Sequence, residues 1–449
     1  MNRRHAPTIR QRSVALAVGA MVAVAALGAS SVAAQDAVQT EGWESLGDVT
    51  ISIQGENASK ATLEALTAQF TEQYPNVTFE LQFKSFDDFM GTVLQVADSG
   101  DAPDIIFGNQ GYTVDGPLVE AGLIAPLDKY YEAYGWNDWY PEGTRAQFQF
   151  TEDGQTFGQG PIWGTAESAD FVGVFYNVDK LAALGLEPPT TFAELEAAFA
   201  AAKAAGELPI KLGNLQGWPA THAFGIAQGA YVPAADIRSW VFGQEGADFA
   251  SPANLQAAQT FKSWVDQGYI DGAAANGLDY DQAWQEFAKG DGVFLLGGHW
   301  LAAGLRDAMG ADKVGFIAPP PGDSGKVVAV AALSLPFHIS SKSEHQDLAA
   351  GVNDYVMNPD KGQTYLDNGR IPAAAGSVGE PSDAVTAQLK TAWDRIAADD
   401  GLIYYQDWAT DTMFDTLTSS LQELVGNRIT PEDFVSTVQD DWAKFTSSR

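Results

Sequence analysis

Two kinds of side chain in this sequence stand where a ligand would meet them: planar hydrogen-bonding groups and large aromatic rings, set just after apolar, strand-like runs. Glu56 and Asn57 follow the alternating run Val49–Ile53, and Asn109 and Gln110 follow Asp104–Phe107. Trp300 follows Val293–Leu296 across Gly297 and Gly298. Trp163 lies in a glycine-rich approach to two acids, Glu167 and Asp170, which precede Tyr176. Trp218 sits between Gly217 and Pro219 in what reads as a loop, and Asp407 and Trp408 lead into a C-terminal helical pattern. Carboxylates and amides bind hydroxyls in pairs, and aromatic rings cover C–H faces. The set therefore suits non-covalent capture of a polyhydroxylated ring. Each candidate also has a plainer reading: Asn109 and Gln110 as turn formers, Trp163 as packing, His222 as a satisfied structural ring. Spacing alone does not choose between Glu167 and Asp170.

Nothing comparable points to covalent chemistry. The chain has no cysteine, which excludes disulfides, thiolate metal sites and cysteine nucleophiles. It has no G-x-S-x-G, no H-E-x-x-H and no phosphate-binding glycine loop. No catalytic residue, metal or cofactor is assigned. The 58 acidic residues always offer some pair that a glycoside hydrolase could use, which makes that signal weak.

The elements that must position these residues follow from periodicity. Val49–Ile53 and Val77–Phe83 alternate as strands, with a helix over 59–73 between them and another over 86–96 before the buried strand Asp104–Phe107. Strand and helix in alternation predict a parallel sheet with crossover helices. The pattern resumes with a strand at Phe171–Tyr176, a helix over 191–204 capped by Thr190 or Thr191, and strands at Pro209–Leu212 and Val293–Leu296. Pro319–Gly322 reads as a linker, Val327–Leu335 as strand-like, and 344–357, 384–397 and 411–425 as helices, the last ended by Gly426. At 449 residues the chain calls for two domains.

The first 34 residues differ from the rest. Arg3, Arg4, Arg10 and Arg12 precede an apolar run from Val14 to Ala29, and Val32-Ala33-Ala34 has the small residues of a cleavage site. This predicts a secretory signal, followed by a flexible leader over 35–47. With no cysteine to carry a lipid, the product is expected free in a periplasm or outside the cell. With 58 acidic against 25 basic residues, the surface repels phosphate backbones, so no nucleic-acid partner is expected.

Several segments in order resemble family 1 extracellular solute-binding proteins of ABC carbohydrate importers. They are Gly100–Phe107, Leu118–Ile124, Gly173–Asn177, Pro188–Phe192, Gly297–Trp300 and Gly426–Phe434, within about residues 48 to 445. The resemblance implies a two-lobed α/β fold of the periplasmic-binding-protein type. Each lobe would be a mainly parallel sheet flanked by helices, and crossing strands would form the hinge. Lobe one would take 48–157 and 318–370, and lobe two 158–317 and 371–449. It also implies a sugar in the interlobe cleft, beyond the carboxyl ends of strands, with Asp170 matching a sugar-contacting carboxylate of the maltose-binding branch. The implied partners are the membrane subunits of an ABC importer, and the protein itself is expected to be a monomer. A polyamine or other cationic-solute receptor of the same fold is the alternative, since cations also stack on aromatic rings.

Overall fold

The computed structural model describes residues 37–140 and 142–449. The expected signal over 1–34 lies outside the described residues. Twelve strands among the described residues carry the unit Gln39–Arg449: β1 (Val49–Glu56), β2 (Val77–Lys84), β3 (Ile105–Phe107), β4 (Gln149–Phe150), β5 (Phe157–Ile162), β6 (Ser168–Asn177), β7 (Ile210–Lys211), β8 (Phe294–Gly298), β9 (Val314–Ile317), β10 (Ala331–Leu333), β11 (Phe337–Ile339) and β12 (Ile371–Pro372).

The first sheet has the order β11-β3-β1-β2. β1 runs parallel to both β2 and β3, as two crossover helices require, and β11 closes the edge antiparallel to β3. Ile51, Ile53, Ile105 and Ile106 of the sheet and Leu63, Leu66 and Phe70 of the helix Lys60–Gln73 are all buried, at most 1% exposed. The helix expected over 86–96 is two short ones, Phe86–Met90 and Val93–Asp98, with Gly91 and Thr92 at the break. Residues 39–47 do not form the expected flexible leader. Trp43 is buried against Gly351, and the Asn76 side chain donates to the carbonyls of Trp43, Leu46 and Gly47.

The second sheet has the order β10-β6-β8-β7, with β9 and β12 also paired to β6. Its directions differ from the mainly parallel expectation. β7 is parallel to β8, but β6 is antiparallel to all four of its partners. β10 leads back toward the first sheet and so must run against β6, which comes from it. The segment 318–333, expected to open the return to lobe one, pairs and packs here instead. Ala331–Leu333 joins β6, and Val327 and Ala329 share a core with Phe171, Phe175, Leu389 and Ile396. The return begins at β11.

The chain passes between the sheets around residues 163–168, 334–336 and 368–371, and these crossings are stitched together. Thr165 pairs with Phe337, the Ser334 amide donates to the Ser168 carbonyl (2.8 Å), and the Ala373 amide donates to the Glu167 carbonyl (3.0 Å). Among the described residues, no helix is long and apolar enough to cross a membrane.

Candidate ligand-binding cleft

The carboxyl ends of β1, β3 and β8 open onto one cavity of ≈ 500 Å³ between the two sheets. Nine of the eleven candidate residues line it: Glu56, Asn57, Asn109, Gln110, Asp170, Trp218, Trp300, Asp407 and Trp408. They reach it from segments far apart in sequence, and strand polarity aims them. Glu56 is the last residue of β1, and Asn109 and Gln110 follow β3. Asp170 is the one residue of the ten in β6 that is not buried, so a strand otherwise sealed in the core presents a carboxylate to the cleft.

Trp163 and Glu167 do not line it. Trp163 is 7% exposed, donates from its indole to the Phe150 carbonyl (2.9 Å), and packs beside the β4–β5 hairpin. Glu167 is buried behind the cleft at a crossing, where it accepts from the Ser59 hydroxyl and faces Arg370 at 3.4 Å. Gln110 has its side-chain nitrogen occupied at the hinge, donating to the carbonyls of Leu333 and Ser334 at 3.2 and 2.9 Å.

The aromatic wall belongs to the second lobe. Trp218 does not sit in an open loop as expected but directly precedes a helix, Pro219–Tyr231, with Pro219 at its first turn. Gly217 holds the entry with φ +84°, where an added Cβ would meet Thr418 at 2.8 Å. The Trp218 ring lies 4.4 Å from Tyr280 and 5.3 Å from His222, and its indole donates to Asp87 of the first lobe at 3.2 Å. Trp300 donates to the Tyr280 hydroxyl (2.9 Å), and its ring packs onto Gly298, where any Cβ would collide with it. Gly298 thus seats the tryptophan. Trp408 is buried against Tyr405 and borders the cavity.

Sequence reasoning missed Tyr280, Asp279, Asp281, Asp87, Tyr405 and Arg370, all of which line the cavity. Arg370 left one faint trace, a basic residue just ahead of a strand in a strongly acidic chain. It is buried, bonds Ser168, and faces Asp170 at 3.3 Å and Glu167 at 3.4 Å.

Burial sets the protonation of the site. It pushes the Glu56 carboxyl up to about 7, against the pull of the Ala58 amide and Arg370, and the Asp407 carboxyl up to about 6. It pushes the His222 imidazole down to about 3, so that ring is neutral in any physiological medium. Among the described residues, no group of His, Asp and Glu is arranged to hold a metal ion.

Two lobes, three crossings and an aromatic, carboxylate-lined cavity between them define a hinged binding protein. The model of the bacterial extracellular solute-binding proteins matches residues 54–363, and the chain belongs to that family. It is 22% identical over 263 residues to the multiple sugar-binding protein of Streptococcus mutans, covering 58% of this chain and 62% of that one. It is 23% identical over 365 residues to the maltodextrin-binding protein MdxE of Bacillus subtilis, covering 77% and 80%. Among solved structures, a chitin oligosaccharide binding protein superposes with TM-score 0.74 at 22% identity over 89% of this chain and 99% of that one.

Proposed function

We propose that this protein captures a saccharide in the interlobe cleft and delivers it to the membrane subunits of an ABC importer. The observation that carries the reading is the wall of Trp218, Tyr280 and Trp300 in a cavity also lined by carboxylates, Glu56 at the end of β1 and Asp170 on β6 among them. Rings cover the C–H faces of a sugar, and carboxylates accept from its hydroxyls. The sugar ligands named for two relatives and a structural neighbour support it. The protein binds without turnover and is made as an exported precursor cleaved near Ala34, with no lipid anchor. It works as a monomer, with lobe one built from about 39–163 and 337–367.

Titration calorimetry against a panel of mono- and oligosaccharides, with chromatography of the recovered sugar, tests this. Reversible binding with the sugar returned intact supports the receptor. Shortened products would make it a hydrolase, and no binding across the panel would end the saccharide reading.

A further inference from the structure

We propose that the saccharide taken by this cleft carries a protonated amine. The inference rests on the receptor reading above and names its substrate class.

Six carboxylates line the cavity from every side: Glu56 and Asp87 from the first lobe, Asp170 from β6, Asp279 and Asp281 at the start of the helix Tyr280–Ala288, and Asp407 ahead of the last two helices. Arg370 is the only lysine or arginine among the described lining residues, and its charge is already engaged by Glu167 and Asp170. A neutral sugar would accept this field without offsetting it. Hydroxyls satisfy carboxylate lone pairs but leave the acids repelling one another. A ligand ammonium offsets the charge and donates to the same oxygens.

A second observation is independent of the acids. His222 is 2% exposed and lines the cavity between Trp218 and Trp300, and its Nδ1 has no partner in the protein. A buried ring nitrogen without a partner is costly unless a ligand group meets it. Being neutral, it adds no cation to the site. The faces of Trp218, Tyr280 and Trp300 attract a cation as readily as they cover a sugar ring.

The protonation of the site gives the idea a signature. Glu56 faces Arg370, Asp170, Asp281 and Tyr280, and Asp407 lies near Tyr405. Both carboxyls hold protons in the upper acid range because they are buried. An arriving ammonium favours their charged forms, so binding between the two values releases protons. A neutral sugar supplies no charge to drive that release.

The test is calorimetry on the full chain with short glucosamine oligosaccharides, their N-acetylated counterparts and malto-oligosaccharides. Low and high salt are compared, in buffers of different ionisation enthalpy. The expected result has four parts. The free-amine sugars bind about tenfold or more tighter than the acetylated ones. Their affinity falls with salt. Protons are released on binding. Glu56→Gln and Asp407→Asn each shrink the ratio by which the free-amine sugar is preferred over its acetylated counterpart. Equal or tighter binding of the acetylated or malto series overturns the charge inference and leaves the saccharide reading standing. Binding of spermidine without any saccharide overturns both.

Discussion

Trp300 and Trp264 are similar in bulk and opposite in role, and truncating each should separate the two. Trp300 lines the cavity with its indole fixed by Tyr280. Trp264 is fully buried among Phe192, Phe199 and Phe261. Anchors of the first kind cost at least about 2 kcal/mol of binding when removed, so Trp300→Ala should weaken saccharide binding roughly thirtyfold. Trp264→Ala should cost about 3–5 kcal/mol of stability and leave the affinity of the folded fraction unchanged. Calorimetry and denaturant unfolding on both variants read this directly, and normal binding by Trp300→Ala would move the site elsewhere. Glu56 allows a test by pH. Its carboxyl titrates near 4.5 when unfolded and near 7 when folded. The folded state therefore holds the proton that the unfolded state loses. Glu56 costs nothing below pH 4.5, destabilises increasingly as pH rises through this window, and reaches its full cost above 7. Glu56→Gln should thus melt higher than the wild type at about pH 8 and level with it at about pH 4. A constant offset across that range would deny the burial effect.

At the scale of elements, the tryptophan wall depends on how one helix begins. Gly217 is left-handed at φ +84° and has no room for a Cβ beside Thr418. A non-glycine residue there costs about 1–2 kcal/mol in backbone strain alone. Gly217→Ala should lower stability by at least that much and weaken binding as well, because Trp218 is the next residue. Lost stability with untouched affinity would show that the wall does not depend on this turn. The same neighbourhood shows what is legible in the sequence and what is not. Elements with strong periodicity or caps are legible, such as β1, the helix Lys60–Gln73 and the helix Phe192–Ala204 with its Thr191–Glu194 capping box. Pro219–Tyr231 is not, because the helix is buried on nearly every side and carries no amphipathic stripe. Gly426 has the residue type of a helix terminator, but the left-handed position falls on Asn427, at φ 58°. Residues directly after strands can be found because strand polarity places them. Tyr280 and Arg370 escape because only the tertiary fold brings a helix start and a crossing segment to the same cavity.

For the whole molecule, the three crossings make the two lobes hinge rather than separate. The Trp218 indole reaches Asp87 across the cleft, and Phe86 lies 5.7 Å from the Trp218 ring. A saccharide held between the walls should favour this approach over an open form. Small-angle scattering should therefore give a smaller radius of gyration with saturating ligand than without. An unchanged radius would count against hinge closure.

The crossings also fix an order of events during synthesis. The edge of the first sheet is β11, which pairs with β3 only after everything between Phe107 and Phe337 has been made. At about 5–20 residues per second, β3 waits on the order of tens of seconds for that partner. The second sheet lacks β12 and the helices behind it for longer still. The first sheet can close before the second, but neither can close early. A nascent chain wired in this way stays threadable until β11 has been made, the condition in which a polypeptide can be passed through a narrow translocation channel before it folds on the far side.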